Sequence, residues 1–281
     1  MIRGDGLHFS YTSKPFIEDM RFEVGSGEIF GFLGPSGAGK STVQKILTGH
    51  IANYRGSVTV DGMEVKRHDR SYYEKIGVDF EFPSLYEKLT ARENLQFFAS
   101  LYKKQTDIGS HLNSVGLAQD ADKKVAAYSK GMKSRLNFIK ALLHDPQYLF
   151  LDEPTSGLDP QNARQMKDII LAQKAKGKTI LLTTHNMYDA TELCDRVAFI
   201  VDGSVRALDT PHHLIMQKGA AKLCYTYHQN GEEKKGEVFL AETGGDETLM
   251  TLIRENRLTS IHSSEPTLND LFVELTGREL A

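Results

Sequence analysis

Gly34-Pro35-Ser36-Gly37-Ala38-Gly39-Lys40-Ser41-Thr42 is the stretch on which the fold turns. It reads G-x-x-x-x-G-K-S, the pattern of a phosphate-cradling P-loop. An apolar run, Ile29-Phe30-Gly31-Phe32-Leu33, precedes it, and an amphipathic run from Val43 to Leu47 follows. Strand, glycine loop and helix are the context the motif requires. The glycines let the backbone curl so that successive N–H groups and the helix N-terminus face an anion. On this reading Lys40 reaches the β- and γ-phosphates, and the Ser41 hydroxyl meets a magnesium ion. The expected ligand is a nucleoside triphosphate held by residues 34–42.

Such a site needs a carboxylate at the end of a buried strand to help hold magnesium. Tyr148-Leu149-Phe150-Leu151-Asp152 is apolar up to its acid, as a strand covered on both faces should be. Asp152 is the expected magnesium carboxylate, and Glu153 directly after it is placed to polarise an attacking water as general base. A βαβ rhythm surrounds this pair. Strand 148–151 is followed by a helix over 160–175, a strand over 179–183, a helix over 187–194 and a strand over 197–201. That alternation predicts a mostly parallel sheet covered on both faces. From Leu7 to Phe32 and again from Gly56 to Phe80, short β-like runs and turns such as Asp61-Gly62 predict a small antiparallel layer around the P-loop strand. Between Ala91 and about Leu143 the period becomes helical, with Leu95, Phe98 and Leu101 on one stripe and Leu136, Ile139 and Leu143 on another.

With these pieces in register the chain resembles the ATP-binding subunits of ABC transporters. Asp152-Glu153-Pro154-Thr155-Ser156-Gly157-Leu158-Asp159-Pro160 resembles that family's Walker B motif and D-loop. Tyr128-Ser129-Lys130-Gly131-Met132 stands at the place of its LSGGQ signature, and Thr183-Thr184-His185 at that of its switch histidine. Tyr11 matches the aromatic residue that stacks on adenine. The resemblance spans roughly the first three quarters of the chain. It implies an α/β fold: a P-loop NTPase (RecA-like) core with an antiparallel β subdomain and a helical subdomain near 83–144. The ATP-binding domain is expected over 1–217.

The resemblance also implies roles. ATP and Mg2+ are the cofactors; Lys40, Glu153 and His185 are the catalytic set, with His185 contacting the γ-phosphate. Ser129 and Gly131, at a helix N-terminus, would serve the nucleotide of a second subunit, so that two copies sandwich two ATP molecules. Asp159 would communicate across that interface. Two departures stand out. Lys130 and Met132 replace the usual Gly and Gln of the signature, and Glu81 occupies the place of the Q-loop glutamine. A carboxylate there can still ligate magnesium, so Glu81 joins Ser41 and Asp152 as a metal candidate. Phe80, Phe82, Leu85 and Tyr86 flank it and fit a groove receiving a helix of a separate transmembrane permease.

The final residues, Ser264 to Glu279, resemble the closing segment of single-cassette exporter ATPases. Before them, from about 218, the composition shifts. Gly219-Ala220-Ala221 and Asn230-Gly231-Glu232-Glu233 frame strand-like runs, with helices expected over 247–254 and 267–275 and a strand over 258–262. These make a small α+β appendage over 218–281, distinct from the long β-rich regulatory domain of sugar importers. The alternative role is a soluble ABC-family ATPase acting on nucleic acid or the ribosome. A net charge of −3 in 281 residues argues against a nucleic-acid partner, and neither long coiled coils nor a second cassette is present. Met1–Asp5 lacks the apolar core of a signal peptide, and no apolar run nears the roughly 18 residues of a membrane span. The expected location is therefore cytoplasmic, at the inner face of the membrane through the permease. Cys194 and Cys224, far apart, are expected as two reduced, buried thiols.

Overall fold

A computed structural model of the chain describes residues 1–104, 107–217, 222–229, 231–264 and 266–277. Two compact units divide it, Met1–Thr210 and Pro211–Ala281. In the first, β1 (Ile2–Phe9), β2 (Ile17–Val24) and β3 (Ile29–Leu33) lead to helix α1 (Lys40–Leu47). Then come β4 (Arg55–Val60), β5 (Met63–Glu64), α2 (Arg70–Lys75) and β6 (Ile76–Asp79). Three helices follow, α3 (Ala91–Ala99), α4 (Ile108–Ser114) and α5 (Lys130–Lys140). The unit closes with β7 (Tyr148–Asp152), α6 (Pro160–Ala175), β8 (Thr179–Thr184), α7 (Met187–Leu193), β9 (Arg196–Val201) and β10 (Ser204–Asp209).

A six-stranded sheet in the order β10-β9-β3-β8-β7-β6 is the frame of this unit. All its pairs are parallel except β10 on β9. Every residue of β3, β7 and β8 is buried, which is why their sequences are continuous apolar runs rather than alternating ones. The register sets Leu33 beside Thr184 and Asp152 beside Thr183. The carboxyl ends of the three central strands thus emerge together, where ligands of open α/β sheets bind. The antiparallel sheet β2-β1-β4-β5 shares one core with it, Phe22 meeting Phe32 edge-on at 5.0 Å.

One strand belongs elsewhere than its sequence neighbourhood implies. The stretch 76–79 does not extend the antiparallel layer; β6 pairs in parallel with β7 at the sheet edge. The helix α2 turns the chain round between β5 and β6, and Asp69 caps it by accepting from the Ser71 amide at 2.8 Å. Gly77 permits the close packing, because a Cβ there would sit 2.1 Å from the Ala141 carbonyl.

In the helical region α3 opens with a capping box formed by Thr90 and Glu93. Leu95 is buried, but α3 stops at Ala99 and leaves Leu101 half exposed, so the expected stripe ends early. Leu136 and Ile139 of α5 and Leu143 beyond it are buried as their spacing implies. Cys194 is buried, which pushes its thiol well above the ordinary range, whereas Cys224 is only half-buried.

The second unit begins at Pro211, one helix before the boundary drawn from composition. It contains α8 (Pro211–Gln217), β11 (Lys222–Gln229), β12 (Glu232–Phe239), α9 (Glu247–Arg254), β13 (Leu258–Ser264) and α10 (Leu268–Thr276). The antiparallel sheet β12-β11-β13 gathers Leu223, Tyr225 and Tyr227 against Leu249 and Leu252 of α9. The expectations at Gly219-Ala220-Ala221, Asn230, Glu265, Arg278 and Glu279 lie outside the described residues.

Candidate active site

The loop between β3 and α1 holds its shape through its glycines. Gly34 has φ +152°, and a Cβ on it would lie 2.2 Å from the Ile200 carbonyl. Gly39, with φ 113°, precedes α1 without any side-chain cap. The amides of the first turn are therefore open to an anion, and the helix dipole favours one. Lys40 is 8 % exposed, and its Nζ donates to the carbonyls of Gly34 at 2.7 Å and Pro35 at 3.1 Å. Burial lowers its pKa from the ordinary lysine value, opposed by the carboxylates of Glu153, Asp152 and Glu81. The carboxylates thus favour retention of the ammonium charge beside the loop.

Across the strand ends stand the acids. Ser41 Oγ donates to Asp152 Oδ1 at 3.3 Å, and the Thr183 hydroxyl donates to the same oxygen. Glu153 has φ 51°, a left-handed conformation that lifts its side chain off the strand end while its amide donates to the Thr183 carbonyl at 3.0 Å. Thr184 Oγ1 donates to Glu153 Oε2 at 3.2 Å, and His185 Nδ1 lies 2.8 Å from Glu153 Oε1. A carboxylate can only accept, so His185 Nδ1 carries the proton of this bond and Nε2 is the nitrogen left for another partner.

Ser36, Gly37, Gly39, Lys40, Ser41 and Thr42 share a cleft of ≈ 340 Å³ with Glu81, Asp152, Glu153 and His185. Ala38 is buried beneath it, its amide donating to the Pro35 carbonyl at 3.1 Å. Tyr11 is 59 % exposed, and its hydroxyl lies 2.9 Å from Thr42 Oγ1. With Phe16 and Gly37 it lines an adjoining cleft of ≈ 430 Å³, a position from which an aromatic face can receive a base.

Ser129, Gly131 and Asp159 are not part of these clefts. Ser129 and Asp159 are exposed and cap their own helices, Ser129 accepting from the Met132 amide at 3.2 Å and Asp159 from the Asn162 amide at 3.0 Å. Lys130 and Ser134 line, with Glu81, Phe82, Asp152 and Glu153, a small cleft of ≈ 60 Å³. The Lys130 ammonium lies beside Gly157, 3.4 Å from where a Cβ would stand.

The oxygen donors fit magnesium. One hydroxyl and one carboxylate converge from Ser41 and Asp152, with Glu81 in the same cleft. Among the described residues no group of three or more His, Cys, Asp and Glu side chains forms a cage of its own. Few protein ligands, completed by phosphate and water, are the pattern of that ion. Sequence reading named the Thr183-Thr184 pair without giving it work. Their hydroxyls orient Asp152 and Glu153 across the register of β7 and β8.

A family model described as "ABC transporter" matches residues 17–156. The chain is 50 % identical to a fluoroquinolones export ATP-binding protein of Mycobacterium tuberculosis, over 100 % of this chain and 94 % of the relative. It is 37 % identical to the Nod factor export ATP-binding protein I of Rhizobium meliloti, over 96 % of this chain and 86 % of that one. Among solved structures, an ATP-binding subunit of an ABC transporter superposes with TM-score 0.72 at 31 % identity, covering 78 % of this chain and 93 % of its own. A dimeric cassette in a post-hydrolysis state bound to ADP and Pi has the same fold, with TM-score 0.68, 23 % identity and coverage of 75 % and 98 %.

Proposed function

The chain belongs to the ABC transporter family and is an ATPase, and from that premise we propose that two copies of it drive export through a separate membrane subunit. The observation that carries the catalytic reading is the shared cleft in which Lys40, Ser41, Asp152, Glu153 and His185 converge. Lys40 and the loop amides bind the phosphates, Glu153 takes the proton of the attacking water, and His185 holds that water and the γ-phosphate in line. Ser41 and Asp152 would hold magnesium, which would supply neutralisation of charge on the phosphate oxygens. Tyr11 offers its ring to adenine.

Ser129, Gly131 and Asp159 serve the partner copy's nucleotide; their absence from their own chain's cleft, with Ser129 and Asp159 exposed, supports that division. The transported compound is proposed to be of the fluoroquinolone kind, by analogy with the relative named for their export. No helix among the described residues is long and apolar enough to cross a membrane, so the permease would anchor the chain at the inner face of the cell membrane. Phe82 and Tyr86, 79 % and 50 % exposed, support docking there, whereas Phe80 and Leu85 are half-buried and pack inward. The relatives give no support to a nucleic-acid or ribosomal role.

The test is Glu153→Gln on a size-exclusion column with and without MgATP. The expected result is a nucleotide-dependent shift from monomer to dimer, because the substitution halts hydrolysis while preserving closure. Bound ATP with no shift would remove the homodimer from the proposal.

A further inference from the structure

Directly behind Glu81 lie two buried polar residues for which the catalytic set has no use. Asp79 closes β6 at 4 % exposure, and Asn137 sits in the second half of α5 at 2 %. The Asn137 amide donates to Asp79 Oδ1 at 2.5 Å and to the Phe80 carbonyl at 3.2 Å. One turn later on α5, Lys140 Nζ donates to the Ser84 carbonyl at 3.3 Å while lying over the Phe98 ring. The helix therefore holds the chain at three points between Asp79 and Ser84, and Glu81 stands between them.

A buried carboxylate with so few partners is costly, and an apolar pair would join β6 to α5 at lower cost. What the polar pair adds is direction. One amide nitrogen fixes both a strand-terminal side chain and the next carbonyl, setting where the backbone leaves the sheet. The Asn137 Oδ1 atom has no protein partner, so the amide is oriented by what it donates to.

We propose that Asn137 and Asp79 are positioning residues for Glu81, a hydrogen-bonded grip that makes the Glu81 loop travel with α5. This rests on the reading of Glu81 as a participant in the nucleotide site. The helix so gripped is the one capped by Ser129.

Two experiments on the full chain test this. Hydrogen exchange of the nucleotide-free protein probes the grip without any hydrolysis. In Asn137→Ala, the amides of β6, which pair with β7 and end at Asp79, should exchange about tenfold faster while β3 and β8 keep their protection; unchanged exchange in β6 overturns the grip. Steady-state MgATP hydrolysis probes its purpose. Asn137→Ala should lower kcat about five- to tenfold with KM within about twofold; as single variants, Asp79→Asn, which can still accept the bond, should keep near-normal turnover where Asp79→Leu does not. In a Glu81→Ala background Asn137→Ala should cost no more than about twofold further. Equal losses in both backgrounds would mean a merely structural pair. If Glu81→Ala alone leaves kcat intact, the role of Glu81 falls and the positioning proposal falls with it, whereas the exchange result still reports on the contact itself. Should Asn137→Ala not fold, Asp79→Asn against Asp79→Leu supplies the same comparison.

Discussion

Lys40 spends its hydrogen bonds on two carbonyls of its own loop, so nucleotide binding exchanges those contacts for phosphate oxygens. Lys40→Ala is expected to weaken MgATP binding by about a hundredfold or more, roughly 3 kcal/mol for lost charge-assisted bonds, as titration calorimetry would register. His185→Ala should instead lower kcat by about 10²- to 10³-fold and move the ATP affinity by less than about threefold; a large loss of affinity would contradict its role. Thr183→Val removes the hydroxyl that donates to Asp152 and should raise the magnesium concentration needed for half-maximal activity by about three- to tenfold. Most of the candidate site could be named at this scale because fixed spacings pick out Lys40, Ser41, Asp152 and Glu153, which the fold brings into one cleft. The work of Thr183 could not, since it depends on the β7–β8 register, which no local pattern carries.

Among the elements, the loop entering β7 is tied by charge. Asp145 pairs with Lys178 at 2.6 Å, just before β8, and with Lys104. The partners shift in the same direction for different reasons. Hydrogen bonds from Lys104 and Lys178 hold the Asp145 carboxyl down at about 2, whereas burial of Lys178 outweighs the pair and lowers its ammonium. The carboxylate is the more exposed of the two and directly reports the attraction. A carboxyl lowered on folding stabilises the protein above its unfolded pKa, and the contribution fades as pH falls toward the folded one. Asp145→Asn should therefore melt lower than the parent at pH 7, with the gap shrinking as pH falls below about 4. At this scale the βαβ half was legible because long periodic segments with clear caps leave little choice; Asp159 and Pro160 fix the start of α6. Strand β6 escaped, since four residues carry no period and their sheet is chosen by what they pack against.

Over the whole chain, both units were legible in outline: the helix expected over 247–254 is α9, the strand over 258–262 lies within β13 and the helix over 267–275 is α10 to within one residue, while the composition shift missed that α8 already belongs to the second unit. Phe97 of α3 extends the aromatic face proposed to meet a membrane partner: its ring and that of Tyr86 meet edge-on at 5.0 Å, and both are half exposed. Replacing both by alanine should leave the ATPase rate of the isolated chain within about twofold while reducing stimulation by the detergent-solubilised permease about tenfold, as expected for removal of anchoring aromatics. Measuring the two rates side by side separates docking from catalysis.

The left-handed backbone of Glu153 has a consequence for lineages rather than for turnover. A side chain bearing a Cβ costs roughly 1 kcal/mol in that conformation, which glycine and asparagine adopt more readily. Selection for stability alone would steadily erode glutamate at that position. In a descendant that had ceased to hydrolyse ATP, nothing catalytic would hold glutamate there against that cost, so glycine or asparagine at residue 153 would serve as a mark of retirement, legible from a genome before any assay.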